Sequence, residues 1–426
     1  MEEVSLYLAE FKVIELSLII EFLIRVFSSW VTYFVLLVAI PSFYLGWKAV
    51  EKWRARKARK TKYVRPASIA KLPKKGFVVG MVAHTKRKAY VEDRKLTTHT
   101  IIAGGTGSGK TVAAMAMAEE ALNNKIPVVV FDPTAQWTGF IRPCRDDDML
   151  KLYPQFGMKQ EQTKSYKGNI VQIKDPFLEV KIEDFIKKGE ITVFTLNKLT
   201  PDQLDYFIRK TIDYMFKISW KESRKLKLLL IYDEVHRLLP QFAKRAGAAL
   251  EGGGYQAIER ACREFRKWGI GLVMISQVLQ DFRGAIRAVI ATEIQMRTKY
   301  EGDIKRIRTK YGWEFSASIP KLEIGTGMMH NSDYNDGKPW FIHFRPLFHS
   351  PFRLTDEEME KYEKFIEEIV LLTEKIEKLN KKKIDTYDIE LELRLAKEKV
   401  STGQMRTAET YIESVRARVK ELESKE

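Results

Sequence analysis

The run at residues 104–111 constrains the fold of this chain more than any other. It reads Gly-Gly-Thr-Gly-Ser-Gly-Lys-Thr and matches every fixed position of the pattern G-x-x-x-x-G-K-[ST]. A strand-like run precedes it at 100–103, and a helix-favouring run follows at 112–118. Glycines let the backbone turn its N–H groups toward phosphate oxygens. The run therefore predicts a phosphate-binding loop between a strand and a helix.

The loop assigns roles to particular side chains. Lys110 is predicted to reach the β and γ phosphates of a nucleoside triphosphate, and the Thr111 hydroxyl is predicted to bind Mg²⁺. The predicted ligands are thus ATP and Mg²⁺. The residues predicted to line the nucleotide are Gly104, Gly105, Thr106, Gly107, Ser108, Gly109, Lys110, Thr111 and Val112.

Continuous apolar runs recur along the chain and predict an α/β fold. They lie at 126–132, 191–196, 226–232 and 270–275. Such runs are typical of strands covered on both faces of a parallel sheet. Between them, the Thr200-Pro-Asp-Gln203 capping pattern predicts the start of a helix.

The apolar run that ends at Tyr232 is followed directly by two acids, Asp233 and Glu234. In open α/β sheets, ligands bind at the carboxyl ends of the strands. Asp233 is predicted to bind Mg²⁺ through its hydration shell, and Glu234 is predicted to activate the water that attacks the γ-phosphate. The next apolar run ends in Gln277, which is a candidate for sensing the γ-phosphate or orienting the water, although a solvent-facing glutamine is the alternative.

Three arginines, Arg260, Arg263 and Arg266, are spaced so that they share one helix surface. One of them can serve as an arginine finger for a neighbouring subunit's nucleotide. A solvated basic face is the equally simple alternative.

The N-terminal region predicts a membrane anchor. Residues 26–47 contain no charged side chain, and a helix of that length matches the apolar thickness of a bilayer. Basic residues dominate 48–65, so the positive-inside rule places the remainder of the chain in the cytoplasm. Residues 1–25 predict an amphipathic or membrane-associated helix, with a second span at 5–24 as the alternative. We thus expect a single-pass cell-membrane protein, with two passes possible.

The formal charge of +17 at pH 7 favours a polyanionic partner, either nucleic acid or an anionic membrane face. Part of that charge, in the predicted basic linker at 48–75, is expected to contact lipid headgroups. Two cysteines without C-x-x-C spacing exclude a disulfide framework and a zinc cage of the usual type.

Several of these motifs occur together in one known family. The segments around 99–111, 130–137, 231–238 and 263–277 resemble, in this order, the motifs of the HerA/FtsK superfamily. The pattern looks most similar to the ATPases of conjugation and type IV secretion and their archaeal DNA-transfer relatives. The resemblance implies a RecA-like core over residues 76–355, assembled as a homohexameric ring that pumps DNA through its centre. It also implies that Lys110, Gln277 and Glu234 are catalytic and that Arg263 best matches the trans-acting arginine, with Arg260 and Arg266 as alternatives.

The expected function is therefore a membrane-anchored, ring-forming ATPase that moves DNA across or toward the membrane, with a membrane channel as partner. A secretion or pilus ATPase that moves protein, a HerA-like DNA helicase and a nucleotide-gated scaffold without motor activity are alternatives. The C-terminal region, 356–426, predicts helices that begin after the Thr355 capping box and continue over about 386–400 and 404–424.

Overall fold

The structure is a computed structural model. It describes residues 15–26, 33, 34, 37, 38, 40–50, 63, 64, 66, 68–237, 253–282 and 284–424. The chain divides into two compact units, 1–62 and 63–426.

In the first unit, residues 15–26 and 40–50 are helical and expose most of their apolar side chains. Among the described residues, no helix has both the length and the apolar composition that a membrane crossing requires. The predicted transmembrane helix at 26–47 is thus not found in the described part of the chain. Several stretches of the predicted N-terminal segments lie outside the described residues, namely 1–14, 27–32, 35, 36, 39, 51–62, 65 and 67.

The described part of the second unit is built on one sheet of eleven strands. The strands are β1 (Phe77–Val82), β2 (Lys88–Val91), β3 (Thr100–Ala103), β4 (Val128–Asp132), β5 (Gly168–Gln172), β6 (Ile191–Thr195), β7 (Leu228–Tyr232), β8 (Ile270–Ser276), β9 (Thr292–Met296), β10 (Thr326–Asn331) and β11 (Trp340–Phe344). Their order across the sheet is β2-β1-β11-β10-β9-β3-β8-β7-β4-β6-β5.

The sheet has a parallel part and an antiparallel part. From β9 to β5 all neighbours pair in parallel, whereas β10, β11, β1 and β2 continue the sheet antiparallel. The strands that the apolar runs predicted are found and confirm the α/β class. Every residue of β3, β4, β6, β7 and β8 is buried, as expected for strands covered on both faces.

Helices cover both faces of the sheet. The α-helices in the described part of the second unit are α1 (Asp93–Leu96), α2 (Lys110–Asn123), α3 (Asp147–Leu152), α4 (Pro201–Lys217), α5 (Gly253–Glu264), α6 (Gly284–Val289), α7 (Glu301–Tyr311), α8 (Trp313–Ser318), α9 (Asp356–Lys381), α10 (Tyr387–Ser401) and α11 (Met405–Ser424). The buried core on one face contains residues of α2, and the core on the other face contains residues of α4 and α5. The predicted capping box at Thr200 is present at the start of α4.

The three C-terminal helices form their own apolar cluster and pack on the edge of the sheet. The hydroxyl of Tyr362 in α9 accepts a hydrogen bond from the backbone N–H of Ile170 in the edge strand β5, at 3.1 Å. Gly403, between α10 and α11, has φ 73°, and a Cβ there would lie 2.3 Å from the carbonyl oxygen of Ile141. A glycine is therefore required at this turn.

Candidate nucleotide site

The phosphate loop connects the end of β3 to the start of α2, as predicted. Gly107 and Gly109 have φ of 69° and 93°, a left-handed conformation that favours glycine. At Gly109 a Cβ would also lie 3.0 Å from the backbone nitrogen of Gly325. Thr106 and Gly107 are exposed at the tip, and Thr111 and Val112 are half-buried at the start of the helix. The loop conformation therefore depends on its glycines.

Neighbouring segments hold the loop from two sides. The N–H of Gly105 donates to the carbonyl oxygen of Arg297, just after β9, at 2.8 Å. On the other side the N–H of Gly325, just before β10, donates to the carbonyl oxygen of Ser108 at 3.1 Å. Sequence reasoning did not find Arg297 or Gly325, because contacts made through the backbone leave no signature in side-chain type.

Lys110 is buried at the base of the loop. Its Nζ donates to the carbonyl oxygen of Gly105 at 3.1 Å. Burial lowers the pKa of Lys110 below its ordinary value, and the carboxylates of Glu234 and Asp233 oppose that shift. Lys110 and the acidic pair, separated by more than a hundred residues in sequence, are thus close enough to interact electrostatically.

The sheet order explains why the acidic pair and the loop converge. Strand β7 delivers Asp233 and Glu234 at its carboxyl end, and a single strand, β8, separates it from β3. Asp233 is 4% exposed. Burial, together with the neighbouring Asp132 carboxylate, raises the pKa of Asp233 to about 7. A carboxyl group whose pKa is raised by burial and by a second carboxylate is often found at a functional site.

Glu234 occupies an unusual backbone conformation. Its φ is 51°, which is uncommon for a residue other than glycine and often marks functional positions. Its carboxylate Oε2 lies 3.1 Å from Nε2 of His236 and 3.7 Å from Nε of Arg237. The hydrogen bond from His236 is the main reason that the pKa of Glu234 lies below its ordinary value. Glu234 is therefore ionised near neutral pH, as a base must be.

Trp137 contacts the acidic pair directly, and sequence reasoning assigned it no role. Its indole Nε1–H donates to Oδ2 of Asp233 at 3.0 Å. The other carboxylate oxygen, Oδ1, accepts the backbone N–H of Glu234 at 2.9 Å. Trp137 lies within the 130–137 motif, but nothing in the sequence pairs it with Asp233.

Gln277 follows β8, between the phosphate-loop strand and the acidic strand, and its side chain is exposed. The turn after it is held by two buried acids. Ser276 donates a hydrogen bond to Asp281, and the N–H of Leu279 donates to Oδ2 of Asp303 at 3.0 Å. The placement of Gln277 at this edge of the sheet agrees with the predicted sensor role, which stays a prediction.

The three candidate arginines lie in or just after α5 and are exposed. Arg263 pairs with Glu259 at 2.6 Å, and Arg260 pairs with Glu264 at 3.3 Å while stacking on Phe216. If Arg263 is the predicted finger, its pair with Glu259 would have to open.

The residues present fit a triphosphate with Mg²⁺. The buried Ser108 hydroxyl has no hydrogen-bond partner among the described residues, so it is available to a phosphate oxygen. In the described ranges, no group of three or more His, Cys, Asp or Glu side chains can hold a metal by itself. Thr111 and Asp233 would thus hold Mg²⁺ together with phosphate oxygens and water, as Mg²⁺ usually requires.

Comparison with known proteins finds one family model that matches this region. Residues 77–239 match the family model described as the central domain of the helicase HerA. The matched stretch includes the phosphate loop and the acidic pair but ends before Gln277 and Arg263. No curated protein matches the chain.

Solved structures give weaker likenesses. The genome packaging NTPase B204 from Sulfolobus turreted icosahedral virus 2 is 14% identical, with 58% of this chain and 97% of that chain covered and a TM-score of 0.34. The pCW3 conjugation coupling protein TcpA is 15% identical, with 67% and 70% covered and a TM-score of 0.38. VirB4 of Thermoanaerobacter pseudethanolicus is 12% identical, with 68% and 99% covered and a TM-score of 0.40. A TM-score below 0.5 establishes neither the fold nor the function of this chain.

Proposed function

Because residues 77–239 match the model of the HerA central domain, we propose that this chain is an ATPase that uses hydrolysis to move DNA. The observation that carries the proposal is the convergence of two remote motifs. Lys110, at the base of a glycine-dependent phosphate loop, interacts electrostatically with both Asp233 and Glu234. A phosphate cradle, a lysine and two carboxylates in one place are the parts that phosphoryl transfer to water requires.

Hydrolysis would use each part in a separate role. Lys110 leaves the Gly105 carbonyl and donates to the β and γ phosphates, while the loop N–H groups hold the remaining oxygens. Glu234 accepts the proton of the attacking water, and Gln277 orients that water. Thr111 and Asp233 would hold Mg²⁺, which when bound would supply neutralisation of the phosphate charge. Arg263 of a neighbouring subunit would complete the site, so the proposal includes assembly of several copies; a homohexameric ring is what the family resemblance implies.

The proposal of DNA as cargo is supported by the family match and by charge. A formal net charge of +17 favours a polyanion. Attachment to a membrane, and with it a channel partner, is a further part of the proposal. It rests on the uncharged stretch 26–47 and the basic residues after it. Co-flotation of the chain with liposomes tests the membrane attachment. We expect the chain to stay with the liposomes at high salt and alkaline pH, and its release under those conditions contradicts the attachment.

Phosphate release by the purified full-length chain tests the function. Turnover is measured with Mg²⁺-ATP alone, with single-stranded DNA and with double-stranded DNA. We expect at least one form of DNA to increase turnover. The control is Glu234→Gln, which should retain ATP binding but lose roughly 10²–10⁴-fold in turnover, since it removes the base.

The outcomes separate the alternatives. Turnover that both forms of DNA leave unchanged contradicts DNA as cargo and favours a protein substrate. A Glu234→Gln chain that still supports DNA transfer in cells contradicts the motor and favours a nucleotide-gated scaffold.

A further inference from the structure

Among the described residues, the side chain of Trp137 donates a hydrogen bond to Asp233, the acid predicted to bind Mg²⁺. The indole is fully buried and its N–H donates to Oδ2 of Asp233. Because the Glu234 N–H binds Oδ1, both carboxylate oxygens have a donor on the protein side. The rotation of the carboxylate about its Cβ–Cγ bond is therefore fixed by these two bonds.

Trp137 also holds the neighbouring strand. Its backbone N–H donates to Oδ2 of Asp132, the last residue of β4, at 2.8 Å. Strands β4 and β7 are adjacent and parallel, so their ends place two buried acids side by side. One residue thus bonds to both acids, which otherwise repel each other.

The segment that carries Trp137 is itself firmly anchored. The indole stacks on Phe140, with ring centroids 5.6 Å apart and planes 7° apart. The Thr138 hydroxyl accepts the N–H of Leu354 at 2.8 Å, and a Cβ on Gly139 would lie 2.3 Å from the carbonyl oxygen of Ser350. The segment that carries the indole N–H of Trp137 is therefore held in place by its neighbours. A donor that orients the Asp233 carboxylate requires such support.

We propose that Trp137 is a positioning residue that orients Asp233 for Mg²⁺ through its indole N–H. The proposal rests on the proposed function, since it presupposes a Mg²⁺-nucleotide complex at this site. Partners that orient a metal-binding carboxylate typically change metal affinity or activity by 10–100-fold when they are removed. Trp137→Phe keeps an aromatic ring in the core and removes the N–H, so it isolates this contribution.

The experiment is a Mg²⁺ titration of binding, not of turnover. Binding of a non-hydrolysable ATP analogue to the full-length chain is measured by calorimetry, first with EDTA and then with increasing Mg²⁺. Trp137→Phe should bind the analogue in EDTA like the wild type but need roughly 10–100-fold more Mg²⁺ for half of the Mg²⁺-dependent gain in affinity. Trp220→Phe is the matched control, because its indole donates to the Met215 carbonyl oxygen in a half-buried position at the end of α4. Its Mg²⁺ curve should match the wild type.

A second comparison separates positioning from packing. If Trp137 acts through Asp233, Trp137→Phe should add nothing to the Mg²⁺ requirement once Asp233→Asn is present, whereas an independent packing defect adds in full. If thermal unfolding shows that Trp137→Phe does not fold, Trp137→Met takes its place, because its flexible side chain fills space without an N–H.

Three results would decide the matter. A raised Mg²⁺ requirement in Trp137→Phe alone supports the proposal. Identical Mg²⁺ curves for Trp137→Phe and Trp220→Phe overturn it and leave the proposed function intact. A wild-type chain that binds no analogue, with or without Mg²⁺, overturns the proposed function and this inference with it.

Discussion

Arg345 holds a buried acid on the helix that follows the phosphate loop, so its replacement should strongly destabilise the second unit. Its guanidinium donates to Glu119 at 2.6 Å, to Glu120 at 3.0 Å and to the carbonyl oxygen of Val78 at 2.9 Å. Glu119 is fully buried. Burial alone raises the pKa of Glu119, but Arg345 and His349 hold it below its ordinary value, so the carboxylate is charged.

Replacing Arg345 with Met leaves that charge in the core. Breaking a buried pair by removing one partner typically costs about 3–5 kcal/mol. Domains are stable by only about 5–15 kcal/mol, so the loss is a large fraction of the total. Backbone N–H groups of Phe348 and His349 still donate to Glu119, which places the expected loss toward the lower end of that range.

Urea unfolding of the wild type, Arg345→Met, Glu119→Gln and the double variant measures the effect. The double variant removes both buried charges and should be at least about 1 kcal/mol more stable than Arg345→Met. A loss below about 1 kcal/mol in Arg345→Met, or losses that simply add in the double variant, would refute the reasoning.

Two further predictions concern the subunit interface and pH. Rings that mix Lys110→Ala subunits with Arg263→Ala subunits should regain turnover that neither variant has alone. The reason is that some interfaces then combine an intact Lys110 with an intact Arg263. If turnover is regained only when Lys110→Ala is mixed with Arg266→Ala, Arg266 is the finger. Burial lowers the pKa of His99 from 6.5 to about 4, so stability present above pH 6.5 is lost as pH falls toward 4. Buried carboxyls such as Asp233, whose pKa is raised to about 7, shift stability in the opposite direction over the same pH range, so the effect of His99 is measured as a difference between variants. Between pH 7 and pH 5, the change in the free energy of unfolding should be roughly 2 kcal/mol less favourable for the wild type than for His99→Asn, and equal changes in the two would contradict this.

The elements that could be predicted from the sequence are those whose residues form an uninterrupted local pattern. Strands β3, β4, β6, β7 and β8 are apolar throughout or nearly so, and each ends at a turn residue or an acid. The same applies to α4 and α9, whose capping boxes are present as predicted. Local chemistry decides these elements, so they can be predicted without knowledge of their partners.

Strand β9 shows why other elements were not predicted. It is fully buried yet reads Thr-Glu-Ile-Gln-Met, and distant residues pair with two of its polar side chains. Glu293 pairs with Arg306 at 2.8 Å, and the Thr292 hydroxyl accepts from Asn331 at 3.0 Å. The same limit applies at the site, where the contact between Trp137 and Asp233 joins residues whose pairing only the fold determines.

At the candidate site, the sequence predicted the two motifs but not the strand order that brings them together. The phosphate loop and the acidic pair lie together because β3, β8 and β7 are neighbours, an order that the sequence does not state. The roles of Gln277 and Arg263 stay predictions, since a single chain does not contain the interface at which an arginine finger acts.

The most direct test of this account compares ATP turnover and ATP binding in the same preparation of the full-length chain with DNA and Mg²⁺ present. The account predicts measurable phosphate release by the wild type, and tight ATP binding with turnover reduced by roughly 10²–10⁴-fold in Glu234→Gln. A wild-type chain that assembles and binds ATP but never releases phosphate, or a Glu234→Gln chain that turns over like the wild type, would contradict the claim that these two motifs act on one nucleotide.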